Sequence, residues 1–282
     1  MSTEPGITAT IRAIFLDVDG TYADYGVVPE GHVGAVRAAR AAGHRVLLCT
    51  GRPVSMLPKS ILGAGFDGLV ASAGAYVEVA GEVLVDRRFP AELAAKTVMA
   101  LDAHDAVYVL EAQEALYVPP GASERLRVIL DAHFRQSPEG PVGSSAILDA
   151  LRPSTDGAAV PFAKVSVFDS PVAIERLVEE IGDGIAVVAN SVADEGRHAG
   201  ELYQRGISKA DGVAAAIAHL GIAREDTIAV GDGANDLEMI AYAGIGIAIE
   251  GSIPELLAIA DRTAAPPHQE GLVAAFAQLG LI

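Results

Sequence analysis

Cysteine and tryptophan are nearly absent from this sequence. Its 282 residues contain one cysteine, Cys49, and no tryptophan. A single cysteine excludes an intramolecular disulfide and any zinc or iron–sulfur site built from several thiolates. The seven histidines include no i, i+4 pair of the metal-ligand type, which argues against a zinc hydrolase. The sequence also lacks the Gly-x-Ser-x-Gly elbow and the P-loop motif, which removes two further enzyme classes.

Basic residues and long apolar runs are scarce as well. Lys and Arg number 20 against 37 Asp and Glu, a formal net charge of −17. Nucleic acids and anionic membranes need a basic face, so neither is an expected partner. No apolar run reaches the ~18 residues of a transmembrane helix. Met1–Thr10 has neither a basic nor an apolar segment of the signal-peptide type. We therefore expect a cytoplasmic protein.

Strand-like and helix-like segments alternate at both ends of the chain. Hydrophobic residues make up 51% of the sequence and are mostly aliphatic, as in a parallel sheet buried on both faces. The predicted strands are 11–16, 45–49, 69–72, 227–230 and 245–249, and the predicted helices between and after them are 30–42, 53–62, 208–220, 234–243, 253–260 and 270–279. This alternation predicts an α/β fold with a Rossmann-like parallel sheet.

The middle of the chain follows a different pattern. After a predicted hairpin (76–79 and 82–85), helices and strands are mixed, and 136–157 is rich in Ser, Pro and Gly, as loops are. The predicted organisation is a core built from residues 1–85 and 197–282, with an inserted α/β domain over residues 86–196.

Two acidic motifs follow predicted strands of the core. Asp17-Val18-Asp19-Gly20-Thr21 comes after the first strand, and Gly231-Asp232-Gly233-Ala234-Asn235-Asp236 comes after strand 227–230. Ligands of parallel sheets bind at the carboxyl ends of strands. Either motif alone is also compatible with an acidic turn or a helix cap. Together, their carboxylates could converge on a hard cation such as Mg²⁺, which prefers oxygen ligands.

Two weaker elements suit an anion beside that cation. Thr50-Gly51-Arg52 ends the second strand and offers a hydroxyl, a close-approach glycine and a guanidinium. Lys209 opens a helix for which Ser208 and Asp211 predict a capping box. Taken singly, Thr50 is better explained as a strand-end hydroxyl and Lys209 as a solvated lysine.

In this order, the four elements resemble the motifs of the haloacid dehalogenase (HAD) superfamily of phosphatases. The runs 46–52, 206–209 and 231–239 resemble its Cof-type branch in particular. The resemblance extends from residue 13 to at least residue 250. It implies a Rossmann-like core with an inserted C2 cap, and a phosphatase that hydrolyses a small phosphorylated metabolite, either a sugar phosphate or a phosphorylated cofactor.

The resemblance also implies a role for each motif residue. Asp17 would be the nucleophile that forms an aspartyl-phosphate, and Asp19 the general acid and base. Mg²⁺ would be held by Asp17, Asp232 and the main-chain carbonyl of Asp19, with Asp236 as a ligand through water or as support. The phosphoryl oxygens would be held by Thr50, Gly51, Asn235 and Lys209.

The motifs identify few candidates for contacts with the rest of the substrate. The candidates are Arg52 and the polar residues near the return to the core, Asn190, Ser191, Arg197 and His198, which could equally be a solvated loop. Two departures from the family pattern stand nearby: Tyr22 replaces the usual leucine after Thr21, and Ala73-Gly74-Ala75 replaces Asn-Gly-Ala. A phosphomutase on the same scaffold and a non-catalytic metabolite sensor remain as alternatives. Because Asp17, Asp19 and Lys209 are all present, catalysis is favoured over sensing.

Overall fold

Two β-sheets organise the chain in the computed structural model, which describes residues 10–24, 26–134, 147–188 and 198–282. In chain order the strands are β1 (Ala13–Leu16), β2 (Arg45–Cys49), β3 (Gly68–Ala71), β4 (Tyr76–Val79), β5 (Glu82–Asp86), β6 (Val107–Glu111), β7 (Leu116–Val118), β8 (Leu151–Pro153), β9 (Lys164–Asp169), β10 (Ile185–Val188), β11 (Gly200–Gln204), β12 (Thr227–Gly231), β13 (Ile245–Ile249) and β14 (Arg262–Ala264). The α-helices are α1 (Glu30–Ala41), α2 (Lys59–Leu62), α3 (Ala91–Ala103), α4 (Ala122–Phe134), α5 (Ile174–Ile181), α6 (Lys209–Leu220), α7 (Leu237–Tyr242), α8 (Pro254–Ile259) and α9 (Gly271–Gln278).

The first sheet has the strand order β14-β13-β12-β1-β2-β3-β4-β5. Its pairs from β14 to β3 are parallel, and the β4–β5 hairpin adds antiparallel strands at one edge. Side chains alternate between its two faces, so Ile14 and Leu16 join the core under α1 and α9, while Phe15 joins the core under α6 and α7. The expected Rossmann-like parallel sheet, built from both ends of the chain, is confirmed.

The second sheet has the order β10-β11-β9-β6-β7-β8 and is antiparallel except for the pair β7–β8. Leu110 and Val165 face α3 and α5, whereas Val109 and Phe168 face α4. This is the inserted α/β unit expected from the sequence. Its last strand, β11, lies beyond the predicted domain boundary at residue 196.

Some predicted elements differ from the structure for local reasons. The helix predicted over 53–62 is wrong: the chain makes a short 3₁₀ turn at Val54–Met56, then an extended residue, Leu57, before α2. Pro58 explains the break, because proline lacks a backbone donor and disfavours helical geometry in the residue before it. Strand β8 lies inside a segment predicted as loop, and β7, β11 and β14 were not predicted. Among the described residues, no helix combines the length and apolar character needed to cross a membrane.

Candidate active site

The carboxyl ends of three neighbouring strands bring the sequence motifs together. Asp17 follows β1, Thr50 follows β2 and Asp232 follows β12. Since β1 pairs in parallel with both β2 and β12, these three ends lie at the same edge of the sheet. A hydrogen bond of 2.9 Å from the Asp17 amide to the Val230 carbonyl ties the first motif to the fourth.

Helix α6 brings Lys209 to this edge. The predicted capping box is confirmed: the Ser208 hydroxyl accepts a hydrogen bond from the Asp211 amide, and the Asp211 carboxylate accepts one from the Ser208 amide. The helix start packs against the loop at Gly74, where φ is +103° and a Cβ atom would overlap the Ser208 carbonyl. Only glycine suits such a backbone and such a contact. The 72–74 loop therefore fixes where the Lys209 side chain enters the site.

Lys209 is buried and lies between two carboxylates. Its Nζ donates to Asp17 Oδ1 at 2.6 Å and to Asp236 Oδ1 at 2.5 Å. The other oxygen of Asp236 accepts hydrogen bonds from the amides of Asp232 and Gly233, both at 3.0 Å. Asp236 thus links the lysine to the turn that carries Asp232. This arrangement fixes the nucleophile candidate, Asp17, through a charged contact and a short network.

Asp232 is held from the side of the first motif. Its Oδ1 accepts a hydrogen bond of 2.9 Å from the Thr21 hydroxyl. Gly20, with φ +80°, lies so close to the Asp232 carboxylate that a Cβ atom there would overlap it. Glycine at position 20 is therefore required for the Asp232 carboxylate to keep its position.

Burial and like charge raise the pKa values of the acidic groups. Burial, together with Asp236, Asp232 and Asp19, raises the pKa of Asp17 well above its usual range, against the opposing effect of Lys209. Burial and Asp236 raise the pKa of Asp232 to about 6. Burial alone would lower the pKa of Lys209, but Asp17 and Asp236 outweigh it and raise that pKa. A site with several carboxylates sharing one ammonium favours further positive charge.

Three carboxylates of the site are placed to act as ligands of a bound cation. One oxygen each from Asp17, Asp232 and Asp236 lies within 4.8 Å of the others. An all-oxygen set of this kind suits a hard divalent cation such as Mg²⁺, which keeps several waters and needs few protein ligands. The donor chemistry and the spacing therefore fit a divalent metal.

Asp19 has different surroundings from Asp17. In an extended chain, side chains two residues apart, such as those of Asp17 and Asp19, would project to the same side. The strand instead ends at Leu16, and the Tyr22 amide donates to the carbonyls of Asp17 and Val18 in a tight turn. The Asp19 carboxylate, about half exposed, accepts two hydrogen bonds from Arg52, at 2.7 and 2.5 Å.

The residues predicted to hold phosphoryl oxygens line the same edge. Thr50 is buried, and its Oγ1 accepts a hydrogen bond of 3.1 Å from the Arg52 amide. A Cβ atom on Gly51 would lie 3.5 Å from Asn235 Nδ2, so the second and fourth motifs approach each other there. Asn235 is exposed. The hydroxyl, the amide and the ammonium thus flank one region, although each phosphate contact stays a prediction.

Among the candidates from the inserted unit, only His198 belongs to the described residues, and it contacts its own unit rather than this cluster. His198 Nδ1 donates to the Ser170 carbonyl at 2.7 Å, a contact within the second sheet's own unit. Asn190, Ser191 and Arg197 lie outside the described residues. Their roles in substrate binding stay predictions.

Sequence reasoning missed the residues that join the two units. The Gln113 side chain accepts from the Val54 amide and donates to the Ser72 hydroxyl, both at 3.0 Å, and Ser55 donates to the Ala112 carbonyl at 2.9 Å. Ser72 adopts a φ of +47°, which serine rarely does. A glutamine in a short hairpin loop gives no signal in a single sequence that it crosses to another unit.

Comparison with known proteins shows which sequences and which fold this chain is similar to. The sequence profile of the haloacid dehalogenase-like hydrolases matches residues 14–276. YkrA of Bacillus subtilis, provisionally named a phosphatase, is 26% identical over 277 residues, which cover 96% of this chain and 98% of YkrA. The phosphoglycolate phosphatase of Methanothermobacter thermautotrophicus is 26% identical over 267 residues, or 94% and 97% of the two chains. The solved structure of the HAD subclass IIB sugar phosphatase BT4131 has the same fold, with a TM-score of 0.77, 22% identity and coverage of 96% and 100%.

Proposed function

The chain belongs to the haloacid dehalogenase-like hydrolases, and from that premise we propose a Mg²⁺-dependent phosphomonoesterase that acts through an aspartyl-phosphate on Asp17. The observation that carries the proposal is the buried cluster of Asp17, Asp232 and Asp236 around Lys209 at the carboxyl edge of the parallel sheet. Phosphoryl transfer depends mainly on positioning and on neutralising charge. This cluster provides a nucleophile, a cationic side chain and a metal-compatible ligand set in one place.

The metal would be held by Asp17 and Asp232, with the Asp19 carbonyl as a third protein ligand and Asp236 as support. When bound, Mg²⁺ would neutralise charge on the phosphoryl oxygens and on the carboxylates. Lys209, Thr50, Gly51 and Asn235 would hold the remaining phosphoryl oxygens. The raised pKa of Asp232, about 6, supports a site that is electrostatically incomplete without a cation.

The chemistry assigned to the chain's own residues has two steps. In the first, a carboxylate oxygen of Asp17 forms a bond to phosphorus as the ester P–O bond breaks, and Asp19 gives its proton to the departing oxygen, which leaves as an alcohol. In the second, Asp19 takes a proton from a water molecule whose oxygen bonds to phosphorus. The bond to Asp17 then breaks, which releases inorganic phosphate and restores the free carboxylate.

The proposed substrate is a small phosphorylated metabolite, either a sugar phosphate or a phosphorylated cofactor. Gln113, between β6 and β7 of the second sheet, forms hydrogen bonds with Val54 and Ser72 of the first unit. As a cover over the site, the inserted unit would exclude water and larger esters. Two similar proteins are named for small substrates, a sugar phosphate and phosphoglycolate. The net charge of −17 supports the exclusion of nucleic-acid polymers.

The test measures phosphate release from a panel of small phosphate esters, with Mg²⁺ and with EDTA. We expect turnover that requires the metal, and a loss of at least ~1,000-fold in Asp17→Asn, as for other essential nucleophiles. Asp24→Asn is the matched control, because Asp24 lies on the same loop but outside the cluster, and it should retain activity.

Three results would contradict the proposal. Full activity of Asp17→Asn would remove the nucleophile assignment. Isomer formation from a hexose phosphate without phosphate release would identify a phosphomutase. Binding of Mg²⁺ and a metabolite with no turnover on any ester would identify a sensor.

A further inference from the structure

The carboxylate of Asp19 depends on one neighbour for its position. Arg52 Nε donates to Asp19 Oδ2 at 2.7 Å and Arg52 Nη2 donates to Oδ1 at 2.5 Å, a two-pronged pairing. Among the described residues, the hydrogen bonds to this carboxylate come from Arg52 alone. The Asp19 side chain is 48% exposed, so packing restrains it little. Its orientation therefore follows that of the guanidinium.

Arg52 in turn sits on a well-anchored stretch of backbone. Its amide donates to Thr50 Oγ1 at 3.1 Å, and its carbonyl accepts from the Ser72 amide at 2.9 Å. Its Nη1 also donates to the Met56 carbonyl at 3.4 Å. Both ends of the residue are thus fixed to loops at the carboxyl edge of the sheet. A planar guanidinium held in this way defines one geometry for its carboxylate partner.

We propose that Arg52 is a positioning residue that aims Asp19 at the leaving-group oxygen. The inference rests on the proposed function, in which Asp19 gives its proton to that oxygen as the ester bond breaks and the bond to Asp17 forms. One Asp19 oxygen carries the proton while the other keeps a hydrogen bond from Arg52. Without the guanidinium, the short, exposed side chain of Asp19 samples other rotamers. Its proton then points at the leaving-group oxygen in a smaller fraction of the bound complexes.

Esters with different leaving groups distinguish positioning of Asp19 by Arg52 from direct contact of Arg52 with the substrate. An alkyl phosphate needs a proton on its leaving oxygen, whereas p-nitrophenyl phosphate releases a stable phenolate and needs it far less. The value of kcat/KM reports the first phosphoryl transfer for both. General-acid catalysis contributes ~100-fold or more, so the alkyl-to-aryl ratio of kcat/KM should fall by at least ~10-fold in Arg52→Gln.

Three further variants sharpen the result. Asp19→Asn should shift the ratio in the same direction, and adding Arg52→Gln to it should shift the ratio no further. Arg52→Lys, which keeps the charge but loses the planar fork, should give an intermediate ratio. Arg40→Gln is the matched control, because Arg40 forms the same two-pronged pair with Asp67, at 2.9 and 2.9 Å. It should leave the ratio unchanged.

Each outcome has a distinct meaning. Equal losses on both esters in Arg52→Gln overturn the inference, and if those losses lie in KM they identify Arg52 as a substrate-anion contact. An unchanged ratio with an active wild type also overturns it, while the proposed function stands. A wild type inactive toward every ester overturns the proposed function and this inference with it.

Discussion

His32 offers the sharpest test of how the first motif is held in place. It is fully buried on α1, and its Nε2 accepts a hydrogen bond of 3.2 Å from the Leu272 amide. That contact leaves Nδ1 as the protonated nitrogen of a neutral ring, which donates to the Tyr22 carbonyl at 3.0 Å. Tyr22 directly follows the Asp17–Thr21 motif, and Leu272 lies in the first turn of α9. The ring thus joins the motif loop to the last helix.

His32→Phe keeps an aromatic ring of similar size but removes both hydrogen bonds. The Tyr22 carbonyl and the Leu272 amide would then lack their partner in a buried place, at about 1–3 kcal/mol for each group. We expect a loss of about 3 kcal/mol in the free energy of unfolding, measured by urea denaturation at pH 8. In His32→Asn the side-chain amide can again donate to the Tyr22 carbonyl, and in His32→Gln it can again accept from the Leu272 amide. Each variant should therefore recover about 1 kcal/mol of the free energy of unfolding relative to His32→Phe.

The pH dependence gives a second, independent readout. Burial lowers the pKa of His32 from its ordinary value of 6.5, against the raising effects of the Tyr22 carbonyl and Glu270. The unfolded chain therefore takes up a proton near pH 6.5 while the folded ring stays neutral. The stability contribution is complete above that pH and is lost as the pH falls from 6.5 toward the lower folded value. The wild type should lose up to ~1.4 kcal/mol per pH unit relative to His32→Phe in that window.

Exposed His219 provides the control, since His219→Phe should change the free energy of unfolding by less than about 0.5 kcal/mol. This role of His32 is contradicted if His32→Phe lowers the free energy of unfolding by less than about 1 kcal/mol and that free energy follows the wild-type pH dependence. That result would mean that water replaces both hydrogen bonds in the variant and that the ring titrates alike in both states.

Two further predictions concern the site and its cover. Gly20→Ala and Gly26→Ala both place alanine at a φ near +80° and should each destabilise the fold by about 1–2 kcal/mol. Only Gly20 contacts Asp232, so only Gly20→Ala should raise the Mg²⁺ concentration for half-maximal activity, by ~10-fold or more; equal metal requirements would contradict the contact. Gln113→Leu should lower the hydrogen-exchange protection of the Val54 amide about fivefold through loss of one hydrogen bond. The control is Gln269→Leu, which should leave that protection unchanged, because the Gln269 side-chain amide contacts only the neighbouring His268 among the described residues. Unchanged protection in Gln113→Leu would mean that Gln113 does not hold the Val54 loop.

The strands of the core could be predicted because their apolar character is visible in short stretches of the sequence. Strands β2 and β13 coincide with their predicted limits, since continuous apolar runs bounded by glycine or polar residues mark strands buried on both faces. Two of the strands that were missed, β7 and β14, have three residues each, whereas the third, β11, has five. Three residues give too little alternation to distinguish a strand from a loop, and their pairing depends on neighbours distant in sequence.

The site was predictable in its members but not in its contacts. Motif order brought Asp17, Lys209 and Asp232 to attention, and parallel topology explains why they meet. The sequence could not separate the environments of Asp17 and Asp19, because the tight turn after β1 ends the alternation of an extended chain. It also gave no sign that Arg52 pairs with Asp19. A side chain's partner depends on rotamers and loop geometry, which a one-dimensional pattern does not encode.

The acidity of the chain and an anionic substrate are compatible because they act over different distances. The charge of −17 is spread over the whole molecule, and at physiological salt exposed charges are screened beyond about 8 Å. We expect a long polyanion to meet many of those charges at once and to be repelled. Under the proposed function, a single phosphate group would meet mainly the edge of the first sheet, where Lys209 is buried among carboxylates that suit a divalent cation and Arg52 is partly exposed. A bound divalent ion would add two positive charges where the lysine alone faces three carboxylates, so that the site can accept a phosphate within an acidic protein.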